Sequence, residues 1–144
     1  MAQHSDKADV EGRVEYINPN ALNKNPAFTN VIVVTGPAKT VYVGGQDAVD
    51  ASGAIVGKGD LKAQTEQVLK NIQAALAAGG AQLEHVVKWN LYIVEGQSLG
   101  AGFEAFQRIW GNRPHPPAIS MAFVSGLANP DFLVEMDAIA VVPQ

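Results

Sequence analysis

Two acidic residues near the end of the chain are candidates for catalysis. Glu135 and Asp137 lie two positions apart in residues 132–142, a run that reads as a β-strand. Side chains two apart on a strand share a face, about 6.6 Å apart along it. In such a pair the pKa of one acid rises, which suits general acid/base chemistry. The alternative is structural, with Lys88 pairing with one of the acids. Glu135 is the stronger catalytic candidate of the two.

Other common kinds of site find little support in the sequence. The chain has no cysteine, which excludes thiol nucleophiles, Cys-ligated zinc, iron–sulfur clusters and disulfides. No spacing of His4, His85 and His115 places two of them on one helical face, so no metal site is predicted. The glycines of Gly44-Gly45-Gln46 follow a strand, where backbone N–H groups can approach a ligand closely. The alternative there is a simple bulge or turn.

Composition sets the class of protein. The chain has 144 residues, 47% of them hydrophobic and 17% charged, which predicts one domain with a real core. The net charge of −4 argues against a nucleic-acid partner, because phosphate contacts need a basic face. No apolar run approaches the roughly 20 residues that span a bilayer, so no membrane partner is expected. The first 13 residues are polar without a signal-peptide core, and a cytoplasmic location is the default expectation.

The elements that must position the candidates follow from periodicity and turn signals. Residues 1–15 are predicted to form a flexible tail and residues 16–144 a single domain. Residues 30–35 and 40–43 predict a β-hairpin, residues 60–78 and 98–110 predict helices, and residues 85–94, 118–124 and 132–142 predict strands. The order is β-β-α-β-α-β-β, an α+β domain with two helices on one face of a mixed sheet of five to six strands.

The other face of that sheet needs a cover. On the last strand the even positions 132–142 are all apolar and are expected to lie under the helices, whereas the odd positions mix aliphatic residues with the two acids. The phase of residues 118–124 is not fixed by the sequence. A broad half-apolar face predicts a homo-oligomer that buries it. The aromatic residues at core spacing, predicted to be buried, are Trp89, Phe103, Phe106 and Trp110.

Several segments together resemble the Rid family, the YjgF-type reactive-intermediate deaminases. The matching segments are VYVGGQ (41–46), the long stretch 63–93, FEAF (103–106), PPAIS (116–120) and VEMDAIAV (134–141). The resemblance implies a chorismate-mutase-like, two-layer homotrimer with ligand pockets at the subunit interfaces. It also implies hydrolysis of 2-imino acids to 2-keto acids and ammonia without a metal or cofactor, with a glutamate that helps to place the attacking water.

The chain departs from the family pattern at the decisive position. Where the archetype has P-A-R-S, with an arginine that clamps the substrate carboxylate, this chain has Ile119. Gly44 replaces a serine and Gly100 an asparagine, while Phe28 stands for a pocket tyrosine. The residue-by-residue transfer predicts Glu135 as catalytic and a substrate-binding set of Phe28, Gly44, Gly45, Ile119, Ser120, Met121 and, from the adjacent loop, Arg113.

The predicted function is therefore a cytoplasmic Rid-type homotrimer that binds a small organic molecule at inter-subunit clefts. If the protein is catalytic, we expect a cofactor-independent hydrolytic deaminase of an imine or enamine other than the 2-imino acids. The alternatives are a non-catalytic ligand-binding or regulatory trimer and an interaction protein. Since an aliphatic Ile119 cannot pair with a carboxylate, a neutral or aromatic ligand is expected.

Overall fold

The structure, a computed structural model, describes residues 10–144. Three strands precede the first helix, and the remaining strands alternate with a second helix before the chain ends on two strands. The elements are β1 (Arg13–Ile17), β2 (Val31–Thr35), β3 (Ala38–Gln46), α1 (Leu61–Ala78), a 3-10 turn (Leu83–His85), β4 (Val86–Val94), α2 (Leu99–Trp110), β5 (Ala118–Val124) and β6 (Val134–Pro143).

The strands form two sheets. Strands β1 and β2 pair antiparallel as a separate ribbon, and the other four form a sheet in the order β3-β6-β4-β5. In this sheet β6 is antiparallel to β3 and β4, whereas β5 runs parallel to β4. The two helices pack together on one face of it. The predicted α+β class, with helices on one face of a mixed sheet, is confirmed.

The start of the chain differs from the sequence-based expectation. The predicted hairpin of residues 30–35 and 40–43 is wrong, because β2 pairs with β1 and β3 pairs with β6. The end of β6 separates the two: the Gln144 oxygen accepts from Gly12 N and the Gln144 nitrogen donates to Pro37 O. The single predicted sheet is therefore split into a ribbon and a four-stranded sheet. Residues 13–15, predicted to belong to the flexible tail, form the start of strand β1. Residues 1–9 of the predicted tail lie outside the described range.

Helix α1 forms as its sequence predicts. The Asp60 carboxylate accepts from Ala63 N at 3.1 Å and so caps a first turn that has no internal partners. The helix ends where Gly79 and Gly80 follow, and Gly80 has a φ of +77°, which glycine adopts without strain. The predicted apolar stripe is buried, with Val68, Leu69, Ile72 and Leu76 in the core.

The central strands present one apolar face to the helices. The even residues of β6 lie in the same core as the helix stripe, as predicted: Val134, Met136, Ala138 and Ala140. Trp89 of β4 is fully buried and packs against Phe106 and Trp110 of α2, with ring centroids 5.2 and 6.1 Å apart. Phe103, predicted as core, is 50% exposed in the single chain, because it borders a cavity between α2 and the sheet.

Gln64 anchors the entry to β6 and carried no signal in the sequence. It is fully buried on α1, and its amide donates to Gly57 O and Asp131 O at 3.1 and 2.9 Å. Its oxygen accepts from Leu133 N at 2.9 Å. Two of these three bonds fix the loop that leads into Glu135, and the third joins it to Gly57 in the loop before α1.

The substitution Gln64→Met keeps the length of this side chain and removes its hydrogen bonds. We expect the free energy of unfolding to fall by about 2 kcal/mol, since buried backbone groups lose their partners. Gln67→Met is the matched control, because Gln67 bonds Asn71 on the same helix and such a pair contributes about 0.2–0.5 kcal/mol. Urea denaturation measures both, and equal losses would contradict the anchoring role of Gln64.

Candidate functional site

Alternation along the strands divides the predicted site residues between the two faces of the four-stranded sheet. Ile119 lies opposite Trp89 and Met121 opposite Leu91 in the β4–β5 register, so both belong to the face that the helices cover. This settles the phase of β5. Glu135 lies opposite Tyr92 in the β4–β6 register and belongs to the other face, which we call the open face.

The covered face contains a cavity of about 530 Å³ between α2 and the β4–β5 edge of the sheet. Its walls are hydrophobic side chains, glycine backbone and Thr65, and they include three predicted binding residues: Phe28, Ile119 and Met121. The loop that carries Phe28 is held in place by the next residue, since Thr29 N donates to Pro117 O at 3.1 Å.

The cavity offers a ligand almost no polar partner. Among the described residues no charged side chain lines it, and the hydroxyl of Thr65 already donates to Leu61 O at 2.8 Å. Gly100 and Gly102 form part of the wall on α2, so backbone stands where side chains would narrow the space. An anion placed here would lose its hydration without a partner, which is costly. The geometry favours an uncharged ligand.

The open face carries a second set of groups around Glu135. Gly45 lies against it: a Cβ on Gly45 would stand 2.8 Å from Glu135 Oε2, whereas a Cβ on Gly44 would meet nothing within 4 Å. Asp47 lies two residues further on, and because Gln46 is opposite Met136 in the β3–β6 register, Asp47 stands beside Glu135. Burial first, and then the hydrogen bond and negative charge of Glu135, raise the pKa of Asp47 to about 6.

The acid expected to accompany Glu135 has a different partner. Asp137 accepts from Asn90 Nδ2 at 2.7 Å, and Lys88 donates to Ser120 Oγ at 2.7 Å. Within residues 10–144 no ion pair joins Lys88 to Glu135 or to Asp137, so the structural alternative considered for the two acids does not form. Ser120, predicted to bind substrate, lies on the open face and not in the cavity.

The guanidinium group of Arg113 is hydrogen-bonded to the end of α2. Its Nη1 donates to Ile109 O and to Trp110 O, both at 2.8 Å, and its Nε lies 3.7 Å from Glu84 Oε1. These contacts satisfy carbonyls that the helix leaves free. Arg113 lines a smaller cavity of about 260 Å³ beside the first, and the large cavity does not include it.

The sequence reasoning missed Asp47. It follows the Gly44-Gly45-Gln46 segment and precedes a turn, so its neighbours in sequence suggest a loop residue. The signal that could have found it is Gly45, because a missing Cβ beside a strand end allows another side chain to approach. Among residues 10–144, no group of three acidic or histidine side chains is placed to hold a metal ion, and no helix is long and apolar enough to cross a membrane.

Comparisons with known proteins agree with this fold. The family model described as Endoribonuclease L-PSP matches residues 19–142. The chain belongs to this family. A RutC family protein of Pyrococcus abyssi is 36% identical over 100 residues, which cover 69% of this chain and 76% of that protein.

Solved structures place the chain among the Rid proteins of that family. The Rid family protein YyfB of Yersinia pestis is 30% identical, with a TM-score of 0.78 over 90% of this chain and 98% of YyfB. Escherichia coli YjgF is 25% identical, with a TM-score of 0.63 over 71% of this chain and 80% of YjgF. The resemblance drawn from the sequence motifs is confirmed.

In this Rid protein, Gly45→Ala tests the contact between Gly45 and Glu135. The new Cβ would meet the end of a flexible side chain, so we expect the Glu135 carboxyl group to move while the fold keeps its thermal stability. The carboxyl ¹³C chemical shift of Glu135 reports the displacement. Gly44→Ala is the matched control, since its Cβ enters open space. An unmoved Glu135 signal in Gly45→Ala would contradict the contact.

Proposed function

We propose that this Rid protein is a homotrimer that binds a small, uncharged organic molecule between subunits and hydrolyses a C=N bond in it. The observation that carries the proposal is the apolar cavity with Ile119 in its wall. Family membership supports the trimer and the reaction class, and the cavity defines how this chain departs from members that act on 2-imino acids.

The division of the site between two faces supports a site formed by two chains. The sheet itself separates Glu135 from Ile119 within one chain, so one cavity can contain both only if they come from different subunits. The surfaces available for contact carry exposed apolar side chains. Phe103, Met121 and Phe123 are each about half exposed at the β5 edge, and Tyr42 on the open face is 77% exposed. Apolar surface of this extent favours association.

The chemistry assigned to the site needs water and a proton acceptor. Glu135 of one subunit would take a proton from a water molecule that attacks the C=N carbon of a ligand held in the cavity of its neighbour. Because the cavity has low polarity, the attraction between the Glu135 carboxylate and the proton of that water is stronger there than in bulk water. No cofactor enters this scheme.

A non-catalytic, ligand-binding trimer is the alternative. It is favoured because none of the described residues that line the cavity carries a charged side chain to anchor a polar substrate group. Glu135→Gln separates the two functions because it removes the proton acceptor and keeps the shape. Loss of turnover with retained ligand binding would favour catalysis by Glu135. Unchanged turnover in a stable assembly would remove Glu135 from the mechanism, and ligand binding by the wild type without turnover would favour the alternative.

Assembly is tested by the mass in solution. Size-exclusion chromatography with light scattering is expected to give three times the 15.2 kDa chain mass, because a monomer would leave the β5 edge and the open face in water. A monomer at micromolar concentration would contradict the proposed inter-subunit site.

The ligand class is tested with indole and indole-3-carboxylate, a pair that differs by one charge. We expect calorimetry to detect indole binding at least about tenfold tighter than the carboxylate, a difference of about 1.4 kcal/mol. Ile119→Arg is expected to reverse the preference, since a guanidinium pairs with a carboxylate. Ile119→Met is the uncharged control. Preference of the wild type for the carboxylate would show that another cation serves the site.

Activity toward a 2-imino acid is tested on the same variants. We expect the wild type to accelerate 2-iminopropionate hydrolysis little, because no cation among the described lining residues can pair with its carboxylate. Ile119→Arg is expected to gain activity. The measurement couples an enamine-generating dehydratase to a keto-acid readout. Rapid hydrolysis by the wild type would contradict the assignment of an uncharged substrate.

A further inference from the structure

The contact between Asp47 and Glu135 joins two elements at a place where glycine makes room for it. Strand β3 has an irregular register between Val43 and Gln46, and Gly45 in this stretch lies against the Glu135 carboxyl group. Gln46 lies opposite Met136 in the antiparallel β3–β6 register, so the next residue, Asp47, stands beside Glu135. The Glu135 carboxyl group is one of the causes that raise the pKa of Asp47, after burial. Both side chains are half-buried.

The chemistry of two carboxyl groups in contact requires a proton. An ionised carboxylate accepts hydrogen bonds and cannot donate one. Asp47 Oδ1 is buried and has no hydrogen-bond donor within residues 10–144. A hydrogen bond between Asp47 and Glu135 therefore exists when one of the two groups is protonated. When both are ionised, the two neighbouring negative charges repel each other.

The surroundings hold Asp47 in this position without neutralising it. Asn71 of α1 donates to the backbone oxygens of Asp47 and Val49 at 3.0 and 2.9 Å, and leaves the Asp47 carboxyl group free of that amide. The next acid along the chain, Asp50, accepts from Ser52 and Ala54 in its own turn.

The charged groups on the neighbouring strands are also accounted for. On β4, Tyr92 lies opposite Glu135 in register, and Lys88 is bonded to Ser120. On β3, Lys39 donates to Gly80 O at the far end of the strand. Glu135 is the charged side chain that acts on Asp47 among the described residues.

We propose that Asp47 is a positioning residue for Glu135, and that the two carboxyl groups share one proton in weakly acidic solution. Asp47 would hold the Glu135 carboxyl group in place through the shared proton. The pair can then give a proton and accept a proton at one place. The shared proton is a property of the folded chain, and its catalytic use rests on the proposed hydrolysis.

With one shared proton, the pair can supply and accept every proton that the hydrolysis of a C=N bond moves. When water attacks the C=N carbon, a C–O bond forms and the C=N π bond breaks. The nitrogen takes the proton of the pair, and the pair takes one proton from the water. In the second step the hydroxyl of the resulting carbinolamine gives its proton to the pair while the pair protonates the leaving nitrogen. The C–N bond breaks, ammonia and a carbonyl compound leave, and the pair again holds one proton.

The test is a carboxyl ¹³C NMR titration of the full-length protein, which needs no substrate. In the wild type we expect Asp47 to titrate near pH 6, the direction given by burial and by Glu135. In Glu135→Gln the pKa of Asp47 should fall toward its ordinary value of about 4, because the negative neighbour is gone and the new amide can donate to Asp47.

Asp137→Asn is the matched control on the same strand. Asp137 lies two residues from Glu135 and is bonded to Asn90, so its replacement should leave the Asp47 titration unmoved. Titration of wild-type Asp47 near pH 4 would overturn the proposal, and so would an unchanged Asp47 pKa in Glu135→Gln. Either result would leave the ligand and assembly tests of the proposed function unaffected.

A stability measurement checks the same proton independently. The folded state raises the pKa of Asp47, so wild-type stability decreases as the pH rises from about 4 through the folded value of about 6. Asp47→Asn has no such proton to lose. Its melting temperature relative to the wild type should therefore be higher at pH 8 than at pH 4, and an equal difference at the two pH values would contradict the shared proton.

Discussion

The pleat of the four-stranded sheet is the constraint on which the rest of this molecule depends. Successive side chains of β4 and β6 point to opposite faces, so Trp89 and Asn90, or Met136 and Glu135, can never share one side. The helices need the apolar set, and a slip by one residue would bury the acids instead. The burial of Trp89 and Met136 therefore fixes the carboxyl groups on the open face and Ile119 beside the cavity.

Those parts of the fold that rest on local pattern could be predicted from the sequence. Helix α1 has a cap at Asp60, an apolar stripe and two glycines at its end, and the structure reproduces its bounds. The alternation along β6 predicted the covered face. The β1–β2 ribbon could not be predicted in this way, because its strands are separated by a 13-residue loop, residues 18–30. The insertion of Gln144 beside Gly12 is likewise a contact between residues far apart in sequence.

The candidate site shows the same limit. Motif resemblance identified Glu135, Phe28, Ile119 and Met121, and the structure places the last three around one cavity. A motif does not show which other side chains or backbone groups a residue contacts in the folded chain. Arg113 closes the end of α2, and Asp47 replaces Asp137 as the acid in contact with Glu135. An uncharged cavity and a carboxyl pair together suit a substrate that gains charge at the reacting bond and carries none in the ground state.

The central claim is that the cavity of one subunit meets Glu135 of another, and disulfide mapping tests it most directly. The chain has no cysteine, so introduced thiols have no background. Gly44→Cys places a thiol in open space near the carboxyl pair, and Met121→Cys places one at the exposed edge of the cavity. After mild oxidation of the double variant, denaturing non-reducing electrophoresis is expected to show linked dimers and trimers of chains, while each single variant stays unlinked. A double variant that assembles and yields unlinked single chains would contradict the claim.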